Sequence, residues 1–259
     1  MIVSAIVLSV HDFRENDRLL ICYTRQMGKI EILVRSAQRP TSKLAPLSSG
    51  LYAVLSLSIE TGKNHYYLIG GEVKKYFKNI LASYKKTWRI GRLLRIVDEV
   101  IKPEKPNRQT FDLLVKFLES FNHQNLNEPE IIIFAFLIKF LSLLGYQPEI
   151  KHCLFCHRQP KSGEKIYPTL PKGYDGRRPS YKDEYREGLW FDVAHGGLVC
   201  EKCLAEKHSS AILISPTIVE ILRQLLYRRF DYLELQKINK PDFRRAKVII
   251  NRFFKWHLG

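Results

Sequence analysis

The chain has 259 residues, of which 45% are hydrophobic, so it can bury the core of one large domain or of two to three small ones. Its charge is unusual, because 42 Lys and Arg stand against 26 Asp and Glu, a formal net charge of +16. This excess favours a polyanionic partner, either nucleic acid or an anionic membrane surface, over a merely soluble basic protein. The start lacks the features of a secretory signal, and the apolar run at residues 131–144 is too short to span a bilayer. We therefore expect a cytoplasmic protein with no membrane segment.

The first 78 residues predict a small β-barrel. Segments rich in Val, Ile, Leu and Tyr partly alternate in polarity and are separated by turn-like stretches. The predicted strands are 2–10, 18–24, 29–34, 51–59 and 65–73. Five short strands fit a closed barrel, for which the OB-fold is the commonest choice, although the pattern leaves an SH3-like barrel open.

From about Asn79 the apolar residues recur at the spacing of helices. The first helix is predicted to run to Pro103 with an apolar stripe of Leu81, Tyr84, Trp88, Leu93 or Leu94, Val97 and Ile101. Asn107 can cap a second helix, and a third, nearly all apolar, should be buried and end at Gly145. Further on, Ser215 can cap a helix that starts with Pro216. A last helix begins near residue 241, with Val248, Ile249, Phe253 and Trp256 predicted on or near its inner face.

Four of the five cysteines form two identical pairs, Cys153 with Cys156 and Cys200 with Cys203. Two intervening residues let a tight turn point both sulfurs at one centre, and two such turns supply the four thiolates of a tetrahedral zinc site. Because four thiolates leave no position open for water or substrate, we predict one structural Zn²⁺ per chain. The neighbouring His152, His157 and His195 are interpreted as bystanders, and the fifth cysteine, Cys22, as a small core residue. The spacer between the pairs, residues 157–199, shows no helical period, and its middle is predicted to be a long surface loop.

Basic side chains in the barrel and on the first helix are candidates for binding DNA phosphates. They are Arg14, Arg18, Lys29, Arg35, Arg39, Lys43, Lys85, Arg89 and Arg92. Tyr23, Tyr52, Tyr66, Tyr67 and Phe77 could stack on unpaired bases, with core packing as the alternative. We find no Walker A loop, Rossmann glycine fingerprint, GxSxG or HExxH motif, and therefore expect no catalytic residues.

Several segments carry a family resemblance through their order and spacing. They are Ala5-Ile6-Val7-Leu8, Asp12-Phe13-Arg14-Glu15-Asn16-Asp17-Arg18-Leu19, Gly28-Lys29 with Arg35-Ser36-Ala37-Gln38-Arg39-Pro40, Leu144-Gly145-Tyr146-Gln147-Pro148-Glu149-Ile150, Gly196-Gly197-Leu198-Val199-Cys200, and Ile214-Ser215-Pro216. Over essentially its full length the chain resembles the bacterial RecO family of recombination mediators. It departs from the family at Ser36 and His157, where glycine is usual, at Gln38, where a basic residue is common, and in its longer spacer.

The resemblance implies an α+β fold: an OB-fold over residues 1–78, a helical domain over 79–150 and 211–259, and a zinc lobe with a long loop over 151–210. It also implies a non-enzymatic role. Such a protein binds single- and double-stranded DNA, anneals complementary strands and helps load recombinase onto strands coated by single-strand-binding protein. The implied partners are RecR and the acidic tail of single-strand-binding protein, and the implied location is the nucleoid in the cytoplasm.

Two alternatives come from other functional classes. A zinc-ribbon RNA-binding or transcription accessory protein would share the basic charge and the metal. A zinc-dependent hydrolase or nuclease would require an exchangeable water on the metal, which four cysteine ligands do not leave room for.

Overall fold

The computed structural model describes residues 1–49, 51–63, 65–123, 130–159, 189–207, 211–233 and 238–259. Within these ranges the chain divides into two compact units, Met1–Ile132 and Ile133–Gly259. The middle of the predicted surface loop between the cysteine pairs lies outside the described residues. In the described ranges no helix has both the length and the apolar character that a membrane crossing would need.

The first unit begins with a closed barrel whose strands neighbour one another in the order β1-β2-β3-β5-β4. The strands are β1 (Ile2–Phe13), β2 (Asp17–Thr24), β3 (Gly28–Val34), β4 (Ala53–Thr61) and β5 (Tyr66–Tyr76). All neighbours are antiparallel except β3 and β5, and the pairing of β1 with β4 closes the barrel. The five-stranded OB-type barrel predicted from the sequence is therefore confirmed.

The period of two in the strand sequences creates the barrel core. In β4 the residues Ala53, Leu55, Leu57 and Ile59 are buried, and the positions between them are half-buried. Cys22 is fully buried in the same cluster, as predicted, and burial raises the pKa of its thiol to about 12.

Four helices accompany the barrel in the described part of the first unit. They are α1 (Ala45–Ser48), α2 (Lys78–Leu81), α3 (Tyr84–Val100) and α4 (Arg108–His123). The Ser83 hydroxyl accepts the Lys86 N–H at 3.4 Å to cap α3. The Asn107 side chain accepts the Thr110 N–H at 3.0 Å at the start of α4, which confirms the predicted cap.

The predicted apolar stripe of α3 is wrong in its first half. Leu81, Tyr84 and Trp88 are exposed, and the buried face consists of Lys86, Ile90, Leu93, Leu94 and Val97. Helix α2 ends at Leu81, and α3 begins directly after the Ser83 cap. Residues before the cap therefore do not share the helical phase of those after it. In α3 each residue turns by about 100°, which places Trp88 about 200° away from Ile90.

Three barrel side chains bond to main-chain carbonyl oxygens of the α3–α4 region. The Tyr23 hydroxyl lies 3.2 Å from the Asn107 carbonyl oxygen, and the Tyr52 hydroxyl lies 3.2 Å from that of Thr87. Lys29 Nζ donates to the Asp98 carbonyl oxygen at 2.5 Å. Tyr23, Tyr52 and also Phe77 are buried, so core packing is confirmed over base stacking for these three rings.

Four helices contribute to the described part of the second unit. They are α5 (Glu130–Leu143), which begins at the end of the first unit, α6 (Glu201–Lys207), α7 (Pro216–Tyr227) and α8 (Lys240–Leu258). Most of α5 is buried, as its composition predicted. Its Phe134 ring meets Phe243 of α8 edge-on, with centroids 6.1 Å apart. The predicted cap of α7 is confirmed, because the Ser215 hydroxyl accepts the Ile218 N–H at 3.3 Å.

In α8 the prediction of the inner face is half right. Ile249 and Phe253 are buried, whereas Val248 and Trp256 are exposed. Phe243 and Ala246 complete the buried face at helical spacing, and this phase turns residues 248 and 256 outward.

A small sheet in the second unit has the strand order β6-β8-β7-β9. The strands are β6 (Glu149–Cys153), β7 (Leu189–Asp192), β8 (Gly197–Val199) and β9 (Ile212–Ile214). β6 and β8 are parallel, and the other pairs are antiparallel. This sheet, which the sequence did not predict, positions both cysteine pairs.

Candidate metal centre and nucleic-acid interface

The two cysteine pairs follow the ends of neighbouring strands. Cys153 ends β6 and lies opposite Leu198 of β8, and Cys200 comes two residues after Leu198. The Leu154 N–H donates to the Leu198 carbonyl oxygen at 2.8 Å, and the His157 N–H closes the first turn by donating to the Cys153 carbonyl oxygen at 3.0 Å. The four Sγ atoms of Cys153, Cys156, Cys200 and Cys203 consequently lie within 4.8 Å of one another. The structure thus brings all four predicted ligands together.

The electrostatics of this cluster favour a bound cation. Burial disfavours a Cys153 thiolate, but N–H groups of the two turns outweigh it and lower the pKa of this thiol to about 6. Burial and the adjacent sulfurs raise the pKa of Cys203 to about 12 and also raise that of Cys200. Four thiolates at this distance need a positive ion between them, and a thiolate-binding metal ion fits the donor set.

A small apolar cluster surrounds the sulfurs. Leu154, Phe155 and Leu204 pack against the buried cysteines together with Trp190. Trp190 was missed because it lies in the spacer, where no periodicity marks it as a core residue. Among the described residues, the group that could hold a metal contains the four cysteines and none of the three nearby histidines. His195 instead lies with Nδ1 2.9 Å from the carboxylate of the fully buried Asp192.

Several basic residues lie at one end of the barrel, on two segments that are joined by hydrogen bonds. The Asp17 carboxylate accepts the Ser36 N–H at 2.8 Å, and the Gln38 amide donates to the Asp12 carboxylate at 3.0 Å. These bonds join the turn between β1 and β2 to the segment that follows β3. The basic end, which we define as Arg14, Arg18, Arg35, Arg39 and Lys43, is carried by these two segments.

The members of the basic end differ in how exposed they are and in whether they already form an ion pair. Arg14, Arg35, Arg39 and Lys43 are exposed, and the Arg35 guanidinium lies over the Tyr67 ring at 4.5 Å. Arg18 is half-buried and forms an ion pair with Asp12 at 3.5 Å. The exposed members are therefore the ones whose charges are open to solvent.

The remaining predicted contacts lie in other surroundings. Lys29 is half-buried, and its amine lies 3.2 Å from the Asp98 carboxylate in a cleft that His11, Glu31 and Glu104 also line. On α3, Lys85 and Arg92 are exposed and Arg89 is half-buried. The sequence analysis missed the exposure of Tyr84 and Trp88 beside them, although the spacing of Ile90, Leu93, Leu94 and Val97 carried the correct phase.

An apolar cleft of about 530 Å³ opens on the second unit. The Trp256 side chain, which is 66% exposed, lines it together with Val193, Ala194 and Ile212. Arg252 and Lys255 of the same helix add two cations to this cleft. Its chemistry suits a ligand that has an apolar part and a negative charge.

Comparison with known proteins gives a consistent result along the whole chain. The family "Recombination protein O N terminal" matches residues 1–77, and "Recombination protein O C terminal" matches residues 83–259. The DNA repair protein RecO of Bacillus subtilis (strain 168) is 26% identical over 257 residues, 98% of this chain and 88% of that protein. The DNA repair protein RecO of Caldanaerobacter subterraneus subsp. tengcongensis is 25% identical over 255 residues, 98% and 91% of the two chains. That of Bacillus mycoides (strain KBAB4) is 22% identical over 259 residues, 99% and 92%. Since the matches leave only a short segment between the two families uncovered, the chain belongs to the RecO family of DNA repair proteins.

Proposed function

We propose that this protein is a non-enzymatic recombination mediator of a RecF-type DNA repair pathway, located in the cytoplasm at the nucleoid. In this role it binds single- and double-stranded DNA, anneals complementary strands and helps load recombinase onto strands coated by single-strand-binding protein. The observation that carries the proposal is the basic end of an OB-type barrel, on a chain with a net charge of +16. The membership of a DNA repair family supports it.

We assign the DNA contacts to the basic end, to Lys29 of β3 and to the outer face of α3. The proposed set is Arg14, Arg18, Lys29, Arg35, Arg39, Lys43, Lys85, Arg89 and Arg92. Each cation that neutralises a phosphate releases counterions, and this release drives binding in a salt-dependent way. Within the set the exposed residues carry most of the contact, because Arg18 and Lys29 already face Asp12 and Asp98.

We propose that the four cysteines hold one structural Zn²⁺ per chain. Zinc suits a tetrahedral thiolate site, and with four protein ligands it supplies folding free energy and no open coordination position. The metal lobe, proposed as residues 151–210, would be inserted between helical parts at 79–150 and 211–259. The metal would hold the ends of β6 and β8 together, and the DNA would bind elsewhere.

We propose that the apolar cleft on the second unit receives the acidic tail of single-strand-binding protein. The side chains of Trp256 and Ile212 can bury an apolar residue of the tail, while Arg252 and Lys255 attract its carboxylates. RecR is the second proposed partner.

Annealing of complementary strands precoated with single-strand-binding protein tests the proposed function. We expect the protein to accelerate annealing without any nucleotide cofactor, because its contribution is binding rather than catalysis. The acceleration should fall when the coating protein lacks its acidic tail, and also in the Trp256→Ala variant. Preferential binding to RNA with no acceleration of DNA annealing would instead support the RNA-binding alternative.

A further inference from the structure

The outer face of α3 carries aromatic and basic side chains in one stripe. Tyr84 is 83% exposed and Trp88 is 52% exposed. With about 100° of turn per residue, the side chains from Tyr84 to Arg89 span an arc of about 140°. In order around the helix they are Tyr84, Arg95, Trp88, Arg92, Lys85 and Arg89, and we call them the α3 stripe.

The two aromatic rings of the α3 stripe do not pack into a hydrophobic core. The buried face of α3, centred on Ile90, Leu93 and Val97, points away from them. The Arg92 guanidinium lies over the Trp88 ring at 4.9 Å, which orients the ring beside a positive charge. No acidic residue occurs between positions 84 and 97, so this part of α3 places no negative charge of its own beside either ring.

This combination of groups selects its ligand by chemistry. Flat aromatic faces next to cations suit a ligand that offers both accessible π-faces and negative charges. An acidic peptide offers the charges without a regular series of rings, and a double helix keeps its base faces stacked inside. Unpaired nucleic acid offers both groups on every nucleotide.

We infer that the α3 stripe is a stacking platform for single-stranded nucleic acid, which extends the DNA contact surface beyond the basic end. Trp88 and Tyr84 stack on unpaired bases, and Lys85, Arg92 and Arg95 contact the flanking phosphates. The two aromatic positions are about 6 Å apart along the helix axis, so each ring can hold a different base of one strand. The inference rests on the proposed function and adds a preference for single strands over duplex.

The first test compares Trp88→Ala with the wild type on labelled oligo(dT) and on a duplex of equal length. We expect oligo(dT) affinity to fall by about five- to 160-fold, the range that corresponds to about 1–3 kcal/mol for loss of one base–aromatic stack. Duplex affinity should change by less than twofold, and the salt slope of oligo(dT) binding should stay the same because no cation is lost. Tyr84→Ala should show a smaller loss of the same kind, and Trp88→Phe should keep most of the affinity.

Two exposed aromatic residues outside α3 provide matched controls. Tyr227 is 50% exposed with the Lys151 amine 5.2 Å from its ring centroid, and Tyr232 is 61% exposed with the Arg229 guanidinium 5.8 Å from its ring centroid. Tyr227→Ala and Tyr232→Ala should bind oligo(dT) as the wild type does. Equal losses in these controls, or an equal loss of duplex binding in Trp88→Ala, would overturn the inference.

Intrinsic fluorescence gives a second measurement that does not depend on a loss of affinity. Oligo(dT) should quench the tryptophan emission of the wild type, and should quench that of Trp88→Phe much less. An abasic strand of the same length supplies phosphates without bases and should not quench. One outcome would be that the wild type binds and anneals DNA, while Trp88→Ala keeps the wild-type affinity for oligo(dT) and Trp88→Phe is quenched as strongly as the wild type. In that case the stacking platform is wrong and the proposed function stands. If the wild type binds no DNA, the proposed function itself fails.

Discussion

At the scale of single residues, two positions combine an unusual backbone with a departure from the family pattern. Ser36 and His157 have φ values of +52° and +55°, in the left-handed region that favours glycine. The family resemblance leads us to expect glycine at both. Their N–H groups donate to Asp17 and to the Cys153 carbonyl oxygen, and these bonds help to hold the conformation against its cost of about 1–2 kcal/mol. The sequence marked these positions as exceptional without revealing their conformation.

Lys139 is another residue whose surroundings the sequence could not reveal. It interrupts the apolar helix α5, and its amine donates to the Leu226 carbonyl oxygen of α7 at 2.5 Å. Burial lowers its pKa from 10.5 to about 8, because a charged amine is less well solvated there than in water.

We expect the stability difference between Lys139→Met and the wild type to depend on pH in the alkaline range. Between about pH 8 and 10.5 the unfolded chain binds more protons at this residue than the folded chain does, so the wild type gains stability as the pH rises. Below pH 8 the contribution of this titration is constant. Urea unfolding at pH 7.5, 8.5 and 9.5 should therefore show the wild type gaining stability relative to the variant.

Parallel pH profiles for the wild type and Lys139→Met would show that the Lys139 amine is not desolvated in the folded protein.

At the scale of elements, the sequence predicted the features that depend on residues close together in the chain. The barrel strands, the caps at Asn107 and Ser215 and the burial of α5 all follow from periodicity or from a single side chain. The β6-β8-β7-β9 sheet could not be predicted, because its strands have three to five residues and β6 pairs with a strand more than forty residues away. The phase of α3 was misjudged because the stripe was traced through the Ser83 cap.

At this scale we predict what the loss of one cysteine ligand does to the metal lobe. In Cys153→Ser we expect the metal content to fall from about one zinc per chain towards zero, since the site loses one of its four thiolates. Amide hydrogen exchange should then rise in β6, β7 and β8, while β1 to β4 keep their protection, because the lobe has a small core of its own.

Cys22→Ser is the matched control, since it changes the cysteine that lies in the barrel core. This variant should keep its zinc and lose stability in the barrel instead. A zinc-free wild type with the stability and exchange protection of the zinc-bound protein would contradict the structural role of the metal.

At the scale of the whole molecule, the net charge indicated a polyanionic partner before any residue could be placed. The sequence also showed that several cations of the barrel lie within thirty residues of one another. It could not show that Asp12 and Asp17 join the two loops of the basic end, since these hydrogen bonds depend on the closed barrel. Nor could it distinguish Arg35, which is exposed, from Lys29, which is half-buried against Asp98.

Reversing Arg35, Arg39 and Lys43 to Glu should weaken binding to single-stranded DNA and flatten its salt dependence. The slope of log K against log salt should decrease in magnitude by about 2, because each lost phosphate contact on a single strand accounts for about 0.7. Titrations between 50 and 200 mM salt, about the range in which such contacts are resolved, provide the measurement.

Reversal of the exposed Lys63, Lys102 and Lys105 changes the net charge equally and separates local contact from overall charge. This control should retain most of the wild-type slope. Equal slopes in both triple variants would remove the basic end from the DNA contact surface.

Three barrel side chains bond to α3 and to the start of α4 through main-chain carbonyl oxygens, which are present whatever side chain stands at those positions. Tyr23, Tyr52 and Lys29 of the barrel provide the bonds. Substitutions on the outer face of α3 therefore leave the three bonds in place. A partner-binding surface on α3 can change by substitution without loss of the bonds that join the barrel to the helices.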